Sequence, residues 1–183
     1  MDRTNEHGLR RRGRGLEEGY FARIERVLVE RLRVQDDRRT ARRSLARTSG
    51  LDVGAIDFLL DVGIRAETLP AVDWIPLVEV AWADGTMDLP EKRVLLVAAE
   101  EDRFAFEHPA HCLLRSWIEK RPGPALFDAW ELHVSLTGRT RKQRERIRGR
   151  ARSVARASGG LLGIGKVSGA ESEVLETIEV LLQ

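Results

Sequence analysis

Along most of this chain the hydrophobic positions recur at intervals of three and four, the spacing of one buried stripe on an α-helix. The first stripe, from Leu16, runs through Tyr20, Phe21, Ile24, Val27, Leu28 and Leu32. A second helix is predicted over 37–48, mostly arginine with Ala41 and Leu45 turned inward, and Gly50 stops it. Asp52 is placed to cap a short helix carrying Ile56, Leu59 and Leu60, which Gly63 ends. Pro70 interrupts a brief helical turn, and Asp73 then caps the helix "WIPLVEVAWA", where Pro76 is tolerated in the first turn. That helix is apolar nearly all round, so it is predicted to lie at the centre of the fold. Further helices are predicted at about 89–102, 109–120, 124–137, 140–158 and 169–182, and no stretch alternates as a strand would. The pattern predicts an all-α chain, a compact bundle of about eight or nine short helices. Trp74, Trp82, Trp117 and Trp130 sit among aliphatic neighbours at helical spacing, which fits core packing better than a cofactor box.

Composition adds boundaries. The 183 residues suit one domain with an arm. Residues 1–15 are polar, broken by glycine and rich in arginine, so a disordered basic arm is expected there, with a single helical domain over 16–183. One cysteine, Cys112, allows no internal disulfide and fits a reducing compartment. No uncharged stretch approaches the roughly 18 residues of a membrane span, and charges interrupt the N-terminal apolar region, so a cytoplasmic protein without signal peptide or transmembrane segment is expected.

The net charge of +2 hides a segregation of sign. Residues 1–50 carry +6, 51–137 carry −9, 138–160 carry +8 and 161–183 carry −3. Either basic helices pack beside acidic ones within the fold, or a basic surface meets phosphate-bearing partners. The acidic middle of the chain favours internal pairing.

Two stretches repeat one turn design. "DGTMDLPE" at 84–91 aligns with "IGKVSGAE" at 164–171, pairing Gly85 with Gly165, Met87 with Val167, Asp88 with Ser168 and Glu91 with Glu171. Glycine can take the left-handed conformation that ends a helix, and the apolar residue staples the turn. Asp88 or Ser168 caps the next helix, and the glutamate three residues on reaches back to the cap's own N–H, a capping box. Two similar helix-turn-helix units are therefore predicted. Asp84, Gly85, Asp88 and Glu91 also match positions 5, 6, 9 and 12 of an EF-hand loop, but Val80 and Trp82 occupy positions 1 and 3. An ordinary EF-hand is excluded. A weaker divalent-cation site on Asp84, Asp88, Glu91 and Glu79 stays open, as does a purely structural turn, with Glu79 reaching the helix edge or an arginine.

These two stretches, "VAWADGTMDLPEKRVLLVAAEE" and "GGLLGIGKVSGAESEVLETI", resemble the TerB-like helical domain of tellurite-resistance proteins and of a membrane-bound DnaJ-type co-chaperone. The resemblance covers about residues 53–183. It implies an all-α, non-enzymatic interaction module linked to stress response, with an unidentified protein partner and a divalent cation as its only candidate cofactor. Asp84 and Glu91 match that family's acidic turn. The second turn departs from it, with Ile164 where an aspartate would stand.

Other signals are weaker. "GLLGIGKV" has Gly160, Gly165 and Lys166 of a phosphate-binding loop, but Val167 replaces the magnesium-binding hydroxyl and no strand precedes it. His108 and Cys112 share a helix face as half of a zinc site, without paired spacing for the other half, and His133 fits a satisfied core histidine. Cys112 and Ser135 lack the neighbours of a nucleophile. The strongest surface signal is "TRKQRERIRGRARSVARASGG", a narrow stripe of Ile147, Ala151, Val154, Ala155 and Ser158 surrounded by arginine. Arg141, Lys142, Arg144, Arg148 and Arg152 form its candidate anion-binding set. No aromatics interleave, so nucleic-acid binding there would be weak, nonspecific and salt-sensitive. The alternative for this helix is pairing with Glu100, Glu101 and Asp102. Three readings of function follow: a TerB-like protein-binding module, an electrostatic surface for nucleic acid or another anionic partner, and a metal-dependent enzyme built on His108, His111 and carboxylates.

Overall fold

A computed structural model describes residues 33–102, 105–157 and 167–183. The predicted arm at 1–15, the stripe at 16–32, and Gly160, Ile164, Gly165 and Lys166 lie outside the described residues. The chain divides into two compact units, Met1–Ala41 and Arg42–Gln183. The described residues form eight α-helices, one 3₁₀ helix and no strand, the all-α bundle that the periodicity predicts.

Among the described residues, helix α1 covers 33–49, and α2 is Val53–Asp61. Between them Gly50 has φ +67°, and Gly63 beyond α2 has φ +85°, left-handed positions that glycine takes without strain. Asp52 caps α2 as predicted, its Oδ1 accepting the Ala55 N–H at 2.9 Å. A 3₁₀ helix, Leu69–Trp74, then runs directly into α3, Ile75–Ala81. This continuity overturns the predicted cap at Asp73. Asp73 lies inside the 3₁₀ helix, and Trp74 occupies the cap position without a side-chain bond. Because the 3₁₀ turns feed their carbonyls into the start of α3, its first N–H groups need no side-chain acceptor. The Asp73 carboxylate is released for Arg139 at 3.0 Å and Arg146 at 3.3 Å.

The remaining helices are α4 (Leu89–Glu101), α5 (Pro109–Glu119), α6 (Ala125–Thr137), α7 (Arg141–Ala157) and α8 (Gly169–Leu181). Helix α3 is central. Six of its seven residues are buried, Glu79 being the exception, and it packs against α4, α6, α7 and α8. Helix α7 lies on α3, α4 and α8. The pairs α3–α4 and α7–α8 thus form one four-helix group, with α2 on α6 and the 3₁₀ helix on α5.

The core is built on Trp74, Trp130, Leu77, Leu95, Leu114, Ile147 and Ile178, all essentially without exposure. Each such side chain contributes about 1.5–3 kcal/mol by leaving water. Trp74 donates its Nε1–H to Asp102 Oδ2 at 2.9 Å, and the half-buried Trp82 donates to the Trp117 carbonyl at 2.9 Å. Trp130 stacks on Phe127 at 5.1 Å.

Ile147, Ala151, Val154 and Ala155 of α7 are buried, and its arginines leave that stripe on both flanks. On one flank Arg150 binds Asp102 at 2.8 Å and Glu101 at 3.0 Å, while Arg146 binds Asp102 at 3.1 Å. Burial pushes the Asp102 carboxyl up, but hydrogen bonds from Arg150 and Trp74 outweigh it and hold the group below the usual carboxylate range. On the other flank Arg148 and Arg152 hold Glu179 at 3.2 and 2.5 Å. Arg144 and Arg148 also donate to the carbonyls of Gln183 and Leu182. Leu182 is the C-cap of α8 and Gln183 follows it, so both arginines sit at the negative end of that helix, where a cation is favoured.

Candidate functional site: the paired turns and the α4–α5 groove

The first turn folds as its residue types dictate. Gly85, at φ +93°, reverses the chain after α3. Asp84 Oδ1 accepts both the N–H of Thr86 at 2.9 Å and its hydroxyl at 3.2 Å, closing a local turn. Met87 is buried beneath it. Asp88 Oδ1 accepts the Glu91 N–H at 3.0 Å, and Glu91 Oε2 accepts the Asp88 N–H at 2.8 Å, a complete capping box. The second turn repeats this chemistry: Ser168 Oγ accepts from the Glu171 N–H at 3.1 Å, and Glu171 Oε2 accepts from the Ser168 N–H at 2.6 Å.

The two capping glutamates are almost sealed from solvent, Glu91 at 3% exposure and Glu171 at 2%. Glu171 Oε1 is buried without a hydrogen-bond partner. Burial pushes the Glu91 carboxyl up to about 7, against the lowering effect of the Asp88 N–H and with further upward push from the charges of Asp88, Glu171 and Asp84. The turns, remote in sequence, are therefore electrostatic neighbours.

Among the predicted cation residues, Asp88 and Glu91 share the capping box, and the charges of Asp84 and Glu171 also act on Glu91. Glu79 points to different company. Its carboxyl is raised chiefly by burial, with Arg121 opposing and Asp128 adding to the shift. The arginine whose charge acts on Glu79 is Arg121. Among the described residues, no group of three or more His, Cys, Asp or Glu side chains is placed to hold a metal ion.

The predicted anion-binding residues of α7 are largely engaged. Arg141 pairs with Glu145 at 2.8 Å, Arg144 and Arg148 hold the end of α8, and Arg152 holds Glu179. Lys142 is exposed. The charge of α7 is thus largely answered within the second unit, by Asp102 and Glu101 of the three carboxylates expected and also by Glu179 and the α8 carbonyls.

The zinc candidates do not converge. His108 caps α5, its Nδ1 accepting the Ala110 N–H at 3.1 Å. His111 is buried against the edge of Phe106 at 5.3 Å, while Cys112 is exposed. His133 is buried, as the sequence suggests, but its Nδ1 has no partner, so it is not satisfied.

What periodicity alone did not reveal is a groove between α4 and α5, about 510 Å³, floored by Leu96, Val97 and Ile118. Lys92, Arg93 and Arg115 stand around it. Leu89 is 78% exposed at its end and Val97 45% exposed along it. Arg115 also stacks over the exposed Phe106 ring at 4.5 Å. The signal available beforehand was the run "VLLVAA", which supplies more apolar residues than one buried face of α4 can use.

No helix among the described residues is long and apolar enough to cross a membrane. No protein-family model, curated protein or solved structure matches this chain.

Proposed function

We propose that this chain is a non-enzymatic, TerB-like helical module that binds an amphipathic helix of a partner protein in the α4–α5 groove. The observation that carries this reading is the apolar strip of the exposed Leu89 and Val97 with the half-buried Leu96 between them, on a helix whose other face is anchored in the core. An exposed strip of this kind marks a docking surface more often than an accident of folding. Three cations on its rim, Lys92, Arg93 and Arg115, against Glu100 and Glu119, favour a partner helix with carboxylates flanking its apolar face. The TerB-like resemblance of the two capped turns supports the same class.

A nucleic-acid surface on α7 has less behind it, because most of that helix's arginines already hold carboxylates or helix-end carbonyls. Phosphate contact would have to break those pairs.

Photo-crosslinking tests the proposal. A photoreactive residue is placed at Leu89 or Val97, with Ser153, exposed on α7, as control. The expected result is one protein partner captured from both groove positions and not from Ser153, and lost when Leu96→Glu is added. Capture independent of position, or surviving Leu96→Glu, would contradict it.

A further inference from the structure

A second cleft, of about 450 Å³, lies where the end of α6 meets the start of α7. Its lining includes Leu69, Pro70, His133, Thr137, Arg139 and Gln143, with Asp73 beside Arg139. The polar groups there are unevenly spent.

Arg139 has a side chain only 8% exposed. Its Nε and Nη2 donate to Asp73 Oδ1 at 3.2 and 3.0 Å, and its Nη1 donates to Thr137 Oγ1 at 2.7 Å and the Gly138 carbonyl at 2.8 Å. A guanidinium carries five N–H groups, so one on Nη2 has no acceptor among the described residues. Gln143 spends its oxygen on Thr140, accepting from the N–H at 2.9 Å and the hydroxyl at 2.8 Å. Both N–H groups of its amide have no acceptor among the described residues.

His133 is buried with Nδ1 sealed and unpartnered. A buried, orphaned N–H is rarer than a buried, orphaned acceptor, so the ring's proton belongs on Nε2. Burial and the neighbouring Arg139, partly offset by Asp73, lower this imidazole's pKa to about 4, so at neutral pH it is uncharged and donates from one nitrogen. Asp73 is answered by two guanidinium groups, Arg139 and Arg146. Apart from the sealed Nδ1 lone pair of His133, the unspent groups are therefore donors, and the positive end of the 17-residue α7 lies beside them. Leu69 and Pro70 give the same cleft an apolar portion.

We propose that this cleft binds a small organic carboxylate, its oxygens on the free donors of Arg139, Gln143 and His133 and its short apolar body against Leu69 and Pro70. This goes beyond the groove proposed for the protein partner and does not depend on it. Matching an acceptor-only group to unspent donors is what such a site can do. The apolar portion selects against an inorganic oxyanion of the same charge.

The test is an NMR titration of the intact chain, following the Gln143 side-chain amide and the backbone amides of Gly138 and Arg139. Sodium butyrate, acetate and phosphate are compared with sodium chloride at matched ionic strength. Saturable shifts are expected with butyrate, weaker ones with acetate, and phosphate should do no more than chloride. Gln143→Glu keeps an acceptor for Thr140 while removing both donors and adding a like charge. It should raise the butyrate Kd at least about tenfold, with a thermal melt confirming that the variant is folded. Equal shifts from chloride or phosphate, or unchanged butyrate affinity in the folded variant, would overturn the site.

Discussion

At the scale of single residues, two buried titratable groups pull the pH dependence of stability in opposite directions. Glu91 has its carboxyl raised from 4.5 to about 7 by burial and by the charges of Asp88, Glu171 and Asp84. Between those values the folded chain holds a proton that the unfolded chain has lost, so Glu91 makes stability fall as pH rises. His133 is lowered from 6.5 to about 4 by burial and Arg139. There the unfolded chain holds the extra proton, so stability rises with pH across that window and is lost as pH falls toward 4. From about 4.5 to 6.5 the two contributions oppose one another. Glu91→Gln keeps the capping oxygen and deletes the carboxyl titration. Chemical denaturation at pH 4.5, 5.5, 6.5 and 7.5 should then show stability climbing with pH more steeply than in wild type, by at least about 1 kcal/mol over the window. An unchanged slope would mean that Glu91 titrates normally. None of this is visible in the sequence, where Glu91 reads as a cap on a helix surface. Its burial and the charge of Glu171, eighty positions away in the chain, are set by tertiary packing.

At the scale of elements, the legible features were those whose causes are local. Asp52, Gly50, Gly63, Gly85 and both capping boxes act within a few residues, so residue type and spacing sufficed to find them. Asp73 shows the limit. Its position before "WIPLVEV" is that of a cap, yet the preceding 3₁₀ helix runs on without a break and the carboxylate turns to Arg139 and Arg146 from far along the chain. The α7 arginines show it again: their number was evident, but which carboxylates they meet depends on how α4, α7 and α8 pack. Local caps make a local prediction. Asp88→Ala and Ser168→Ala should each lower unfolding free energy by about 1 kcal/mol, measured by urea denaturation at pH 8. A loss near zero in either would mean that its helix start is held by tertiary contacts alone.

At the scale of the whole second unit, one arrangement accounts for both the interior and the proposed working surface. Helix α3 forms the interior, α7 lays its narrow buried stripe against it, α4 and α8 pack on both, and the charge of Glu171 reaches Glu91 between the two capped turns. The arginines of α7 close that group from within, and α4 keeps an outward strip free for a partner. The claim on which the arrangement rests is that the two turns, alike in sequence, are neighbours in space. A double-mutant cycle of Glu91→Gln and Glu171→Gln, by urea denaturation at pH 8, tests it most directly. Each amide keeps the capping acceptor and removes one of two mutually repelling buried charges, so whichever is changed first should relieve the other. The predicted result is an interaction energy of at least about 0.5 kcal/mol, the double variant gaining less than the two singles together. Additivity to within about 0.3 kcal/mol would place the turns apart and contradict the account.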